Sequence, residues 1–534
     1  MMKTHKELLI LFFACFFALL TSTLGCEPFI IESVQNGTTG KDLAQAIQYV
    51  DGANDAIFVS GLTEGSMYAT AEGQGDLFAV KYEEVGDVSR VKWGWQAGTS
   101  GKEFGDGGSC KASNGDFVMV GRTEGDLFGP NNGSNFDVVV ATFNPNTGAP
   151  VLTVQVGSNG NDYAEDAYCD SVNNLYVAGF TSGSWFAPAS GDENTTNDYV
   201  LFKMNLDTGV IDWGVQNSSN KFDYFYGVSA SADETEIFTV GLTEGSLFGP
   251  AMNTADGSTD FLAASFSSSG AFNWGKQWGT TEVDQLVRCH VDSEGFLLAS
   301  GSSMGSMYAT NQGSMDMVVL KMDVSGGSAP QDVEWGVQHG SADVDDAIAL
   351  GSDSMNDVWV AGYTQGSLFG TVKAGTDGYV AKLDGTDGSI LVSNQEDYST
   401  TSNDAIQALV VDLESDNAHI TGSSAGSLFG QNIGLGDYIT ALEGCDDQWS
   451  STRATCGADS NGDDDDDDQL QDALIITAVV LAVVGIVGLL VYYSRTHSSI
   501  TFSFNFYLLI HNLLIIVTFY VVNKISLKTL PTQL

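Results

Sequence analysis

The sequence predicts an all-β chain: a seven-bladed β-propeller of four-stranded blades, followed by a C-terminal transmembrane helix. Three observations carry this. One eight-residue motif recurs seven times, starting at Gly61, Gly121, Gly179, Gly241, Gly301, Gly362 and Gly422, at intervals of 58 to 62 residues. Even repetition at such a period marks a stacked or radial repeat architecture. Each repeat also holds four short apolar stretches, the content of one propeller blade. Finally, 62 Gly against 8 Pro, with 10% aromatic residues among 534, suits many short strands joined by tight turns around a core.

In chain order, each repeat opens with a strand that ends in glutamine. It reads Trp-Gly-x-Gln at Trp93, Trp213, Trp274 and Trp335, and its glutamines are Gln35, Gln96, Gln155, Gln216, Gln277, Gln338 and Gln395. An acid stands seven residues later in six copies: Asp42, Glu103, Asp162, Asp223, Asp284 and Asp345. Two apolar stretches follow, as in DAIAL and DVWVAGY, the second running into the glycine motif (GLTEGSLF at Gly241). After a long loop of variable length comes a strand led by Asp76, Asp137, Asp198, Asp260, Asp316, Asp377 or Asp437. Its alternation, as in DYVLFKM, predicts one face on a core.

Short turns such as NLDTG and DGTDG join this strand to the next glutamine strand, so the two should form a hairpin within one blade. The last such strand, Asp437 to Leu442, has no partner downstream, and FIIESVQ at the N-terminus has none upstream. These two should pair and close the ring, because an open propeller leaves bare strand edges.

The run from WGVQHG at Trp335 through DDAIAL, VWVAGYTQGSLFG and TDGYVAKLD resembles the seven-bladed β-propeller (SBBP) repeat family, over roughly residues 29 to 443. Repeats of that family carry Gln-x-Gly, Asp-x-Ala, a Tyr-Val-x-Gly-x-Thr strand and Asp-x-x-Val-x-Lys-Leu. TVQVG around Gln155 and SNQED around Gln395 depart from the pattern, which marks their blades as irregular. The resemblance implies a propeller fold and an exported location, and it supplies no catalytic set.

The ends carry targeting signals. Lys3 and Lys6 precede the apolar LLILFFACFFALL and the small polar TSTLG, the layout of a signal peptide over 1–25, cleaved before Cys26. Ala473 to Tyr493 is an uninterrupted apolar run long enough to cross a bilayer as a helix. Six aspartates, Asp463 to Asp468, precede it, and Arg495 and His497 follow, so the positive-inside rule places the propeller outside the cytoplasm. The expected order is signal peptide 1–25, propeller ectodomain 27–445, acidic juxtamembrane spacer 446–472, transmembrane helix 473–493 and tail 494–534, in a type I membrane protein. The spacer's DSNGDDDDDD matches the start of a calcium loop but lacks the later Glu, and reads as a self-repelling stalk. The tail lacks Gly, Ala, Asp and Glu. Two readings of it are open: a second hydrophobic span over 500–522, or translated non-coding sequence.

Six cysteines remain after signal removal. Cys445 and Cys456, both in the short segment after the last repeat, form the favoured bridge, whereas Cys110, Cys169 and Cys289 read equally well as paired or as buried thiols. Sequons at Asn36, Asn132, Asn194 and Asn217 are candidate glycosylation sites.

A formal net charge of -48 repels phosphate backbones and argues against nucleic acid as a partner. His290, His339 and His419 fall at unequal offsets, and there is no HExxH, GxSxG or CxxC pattern. No catalytic, cofactor or metal residues are therefore expected. The repeated glycines read as sites of close backbone approach or positive φ. The rings at Phe128, Phe248 and Phe369 read as blade packing. The glutamine and acid sets either anchor loop backbone or line a cation-binding pore, and their recurrence in the blades favours the first. Ligand residues are expected in the variable loops, such as ASGDENTTN after Pro188. These features point to a non-catalytic recognition or adhesion scaffold at the cell surface, held by its membrane helix and binding an extracellular protein or glycan. An extracellular enzyme acting on polysaccharide and a passive surface coat are the alternatives.

Overall fold

The structure, a computed structural model, describes residues 27–446 apart from 51–55, 85–88, 134, 190–195, 252–257 and 326–331. The expected signal peptide, the spacer beyond Asp446, the apolar segment 473–493 and the tail lie outside the described residues, as do Asn194, Cys456 and the Cys445 side chain. Among the described residues no helix is long and apolar enough to cross a membrane.

Each repeat folds into one antiparallel sheet with four strand positions, and the described residues form seven such sheets. The inner strands touch their neighbours on both sides, which makes the sheets the blades of a closed ring. In blade order the inner strands are Asp42–Val50, a split pair Glu103–Phe104 and Ser109–Lys111, then Asp162–Cys169, Asp223–Ala230, Asp284–Val291, Asp345–Ser352 and Asp404–Val411. The glycine-motif strand lies second, the Asp-led strand third, and the glutamine strand outermost, as in blade 4 with Glu236–Thr243, Asp260–Ser267 and Phe272–Trp278.

The Asp-led strands bury both faces, not one. Asp137–Phe143 is buried at every residue. A blade in a ring is sandwiched between two others, so its middle strands need apolar side chains on both sides, whereas the outer strand Val210–Asn217 alternates toward solvent. The core is accordingly laid down between blades: Val118 and Val140 of blade 2 pack with Leu175 and Phe202 of blade 3.

Glu27–Asn36 lies antiparallel on Asp437–Asp446, with Gln35 opposite Ile439, and forms the outer strand of blade 7. Chain closure by the two ends is reinforced by a backbone staple repeated in all seven blades. The N–H that leads each inner strand donates to a carbonyl at the foot of the preceding blade's third strand, as Asp223 N does to Asn197 O at 3.0 Å and Asp42 N does to Gly436 O at 2.8 Å across the closure.

Blade 2 departs from the pattern because its inner strand breaks at Gly105–Gly108. A disulfide between Cys110 and Cys169 ties this short strand to the inner strand of blade 3. Cys289 is a buried free thiol.

Candidate binding site in the central channel

The repeated glutamines are consumed by the fold. In blade 3, Gln216 Oε1 accepts the backbone N–H groups of Trp185, Phe186 and Ala187 at 2.9 to 3.2 Å, while Nε2 donates to Gly183 O and Asp198 Oδ2 at 2.8 Å. The other six, Gln35, Gln96, Gln155, Gln277, Gln338 and Gln395, clamp the matching loop in the same way. Each also donates to the second glycine's carbonyl and to the third-strand aspartate, as Gln277 does to Gly245 O and Asp260 Oδ2.

The acids that lead the inner strands serve the same loops. Asp162 accepts from Ser158 N at 2.5 Å and from the Oγ1 of Thr181, the third residue of the glycine motif. In blade 7 this place is taken by Asp404, which accepts from Thr400 N and Ser424 Oγ. It stands nine residues after Gln395 because a short 3-10 turn, Glu396–Tyr398, intervenes. Burial raises Asp162 to about 7, and raises Asp42, Asp223, Asp284, Asp345 and Asp404 in the same direction.

The first glycine of each motif makes room for a carbonyl of the inner strand. A Cβ on Gly241 would lie 1.9 Å from Tyr224 O, and Gly61, Gly121, Gly179, Gly301, Gly362 and Gly422 face the equivalent carbonyl at 1.9 to 2.2 Å. None of the seven has a positive φ, so close approach is what requires glycine here. The crowding carbonyl precedes a β-bulge in six inner strands, where the register jumps between Ala44 and Ala46, Ala164 and Asp166, Phe225 and Gly227, Leu286 and Arg288, Ala347 and Ala349, and Ile406 and Ala408. A bulge re-aims one side chain. The bulged residues are Gln45, Glu165, Tyr226, Val287, Ile348 and Gln407, and all six line a central cavity of about 270 Å³, joined in blade 2 by Asp106 from the strand break. A second cavity of about 410 Å³ continues along the axis, sharing Gln45 and Arg288 as its boundary.

Unlike the glutamines and glycines, this ring does not repeat. Its charged side is built from blades 2, 3, 5 and 6. Arg122, which faces Phe104 in the blade 2 pairing, reaches Asp106 Oδ2 at 2.6 Å and Glu165 Oε1 at 3.9 Å. Its guanidinium lies 4.4 Å from the Tyr163 ring centre and 4.7 Å from that of Phe104. Arg288 donates to the carbonyls of Tyr226 and Val287 at 3.2 and 3.1 Å. Asp166 Oδ2 accepts from Val228 N at 3.0 Å.

Glu165 is 20% exposed, but to the channel. Burial pushes its carboxyl up to about 8, with Asp106 adding to the push and Arg122 and Arg288 opposing it. Burial likewise raises Asp106, Asp166 and Asp346.

Of the other sequence candidates, Phe248 lies over Gly275 of its own outer strand, whose added Cβ would meet the ring at 2.3 Å, while packing into the core between blades. His290 Nε2 contacts Ser352 Oγ at 3.1 Å and His419 stacks on Tyr49, both at the larger cavity's end of the inner strands. Asn132 and Asn217 are exposed, and Asn36 is half-buried with Nδ2 directed to Tyr438 Oη at 3.4 Å. Most of the loop after Pro188 lies outside the described residues.

Sequence reasoning missed Asp106, Arg122, Glu165, Asp166, Arg288 and Asp346. A signal was present. Aligned on the leading acid, the residue three positions later is a carboxylate in blades 2 and 3 (Asp106 and Glu165) and an uncharged residue in the other five blades. Arg122, in GRTEGDLF, occupies a position that is Leu or aromatic in four of the other copies.

No protein-family profile matches the chain, and no curated protein matches it in sequence. Among solved structures, a quinohemoprotein alcohol dehydrogenase from Comamonas testosteroni aligns over 84% of this chain and 81% of its own, at 9% identity and a TM-score of 0.41. The Dos1 propeller aligns over 78% and 95%, at 9% and 0.41. Raptor from Chaetomium thermophilum covers 80% of this chain with 30% of its own length, at 9% and 0.46. Similarities this low carry no argument about activity. The seven-bladed propeller rests on the strand pairing, and such a fold is a scaffold able to present a recognition site.

Proposed function

We propose that this chain is a cell-surface recognition scaffold, belonging with the SBBP repeat proteins, whose ligand is an extracellular protein or glycan met at the mouth of the central channel. The carrying observation is the broken symmetry of the channel ring. Residues repeated in every blade are engaged in loop clamps, whereas Asp106, Glu165, Tyr226 and Asp346 occur once each and line one cavity. A fold that only needed closure would gain nothing from burying unrepeated carboxyls.

The Cys110–Cys169 disulfide suits an oxidising compartment. That supports the exported placement read from residues 1–25 and the membrane anchor read from 473–493. Long loops at the face where the inner strands begin would surround the channel mouth and add contacts.

The test is capture by the full chain, in detergent micelles, on arrays of defined glycans and extracellular proteins, beside a Glu165→Gln, Asp346→Asn double variant. The reading expects a defined ligand whose capture drops in the variant while near-UV circular dichroism is unchanged. Equal capture by both forms contradicts it. A polysaccharide-cleaving enzyme is the second reading, favoured by Asp106 and Glu165 both lying within reach of Arg122 on one cavity, with burial raising both carboxyls. It expects new reducing ends from the wild type and none from Glu165→Gln.

A further inference from the structure

The larger channel cavity holds a cation whose charge the surrounding protein leaves unmet. Arg288, on the inner strand of blade 5, lines this cavity at its boundary with the smaller one. Its Nη1 is spent on the carbonyls of Tyr226 and Val287, at 3.2 and 3.1 Å. Among the described residues nothing accepts from Nε or Nη2, and no carboxylate forms an ion pair with the guanidinium. Neither nitrogen is fully buried, in contrast to the unpartnered Nε of Arg122, so both keep surface toward the channel. The free donors lie on one edge of a rigid plane, and covalent geometry makes them converge. Arg122, by comparison, is met by Asp106 and Glu165.

The other charged groups on this cavity do not supply a counter-charge. Asp292 is paired with Lys321 at 2.9 Å. Asp166 Oδ2 accepts from Val228 N, and burial raises this carboxyl against the pull of Arg288. Burial lowers His290, whose Nε2 meets Ser352 Oγ, so it adds no second cation. One side of the wall is apolar: blades 6 and 7 contribute only Ala349, Leu350, Ala408, Leu409 and Val410, and blade 1 adds Ile47. An apolar wall with a few polar groups that fix orientation is the usual make-up of a small-molecule pocket, and the volume of about 410 Å³ falls in the ~300–1,000 Å³ range of such pockets.

We propose that the larger cavity binds a small organic carboxylate with an apolar body, its two oxygens held by Nε and Nη2 of Arg288 and its body lying along blades 6, 7 and 1. Two parallel N–H···O bonds are the preferred match between guanidinium and carboxylate. The chain's surplus of acid does not oppose this, because exposed charges are screened over ~8–10 Å at physiological salt. Burial also raises Asp106, Glu165 and Asp346 across the boundary toward their neutral forms. The site goes beyond the recognition reading of the channel mouth, and its probe, neither glycan nor protein, tests it separately.

The experiment is calorimetric titration at neutral pH of the full chain in micelles of a neutral detergent, corrected for empty micelles. Hexanoate, acetate, hexan-1-ol and hexylammonium are compared on wild type and Arg288→Gln. The expected result is one saturable hexanoate site per chain, with acetate and hexan-1-ol each about tenfold or more weaker and no saturable hexylammonium site. Hexanoate should weaken about tenfold or more in Arg288→Gln, the scale of one charge-assisted hydrogen bond. Absence of hexanoate binding overturns the proposal, as does binding that is unchanged in a folded Arg288→Gln. Hexan-1-ol bound as tightly as hexanoate overturns the carboxylate assignment, and acetate bound as tightly overturns the role of the apolar wall. A saturable hexylammonium site overturns the sign of the charge. The four probes decide on wild type alone if Arg288→Gln fails to fold.

Discussion

At the scale of single residues, the same chemistry serves opposite ends in two sets of carboxyls. The acids leading the inner strands accept three or more hydrogen bonds, as Asp162 does from Ser158 and Thr181, and burial decides the titration of the six aspartates among them. Asp162 titrates at about 7 in the fold, whereas an aspartate in an unfolded chain titrates near ~3.9. The folded state therefore binds this proton more tightly. The resulting stabilisation is complete below the unfolded value and is lost as pH rises through about 7. Asp42, Asp223, Asp284, Asp345 and Asp404 shift the same way, and a formal charge of -48 adds repulsion in the same direction. Thermal melts should accordingly show the propeller more stable at pH 5 than at pH 8, with a shallower slope in Asp162→Asn. A melting temperature that rises from pH 5 to pH 8 would contradict this. The channel carboxyls differ in having unsatisfied oxygens, at Asp106 and Asp346, where the leading acids are saturated by local donors.

At the scale of elements, the bulged inner strand links fold to site. The glycine at the head of six motifs is there because the bulge presses a carbonyl onto it, and in blade 2 Gly121 meets Phe104 O at the strand break instead; each bulge turns one side chain into the channel. Strand Glu27–Asn36 matters at the same level. It covers the edge of Asp437–Asp446, and its Gln35 clamps the Leu428, Phe429 and Gly430 backbone. Deleting residues 27–36 should lower the melting temperature markedly, and an unchanged melt would show that closure does not depend on this pairing. Four strands per repeat and the hairpin between the Asp-led and glutamine strands were legible, because alternation and turn chemistry leave marks in residue type. The bulges were not, since an extra residue in a strand looks like any other until its partner strand is known. The seventh acid, Asp404, was hidden by the two additional residues after Gln395. The Cys110–Cys169 pairing depends on two inner strands lying side by side in the ring, which spacing along the chain does not reveal.

At the scale of the whole molecule, sevenfold repetition and its local failure divide the labour. Repeated columns form the clamps and staples that hold the ring, and the ring's axis is where the repeats cease to agree. Buried groups kept for binding are expected to add little to stability or to subtract from it, whereas clamp residues are expected to be costly to lose. The measurement that tests this division most directly is a side-by-side thermal melt at neutral pH of wild type, the Glu165→Gln, Asp346→Asn double variant, and Gln216→Ala. Gln216→Ala strands three loop N–H groups and should cost about 2–3 kcal/mol. The double variant should melt at or above the wild-type temperature. A double variant that melts as low as Gln216→Ala would make the channel carboxyls part of the scaffold and contradict the assignment of the channel as the binding site.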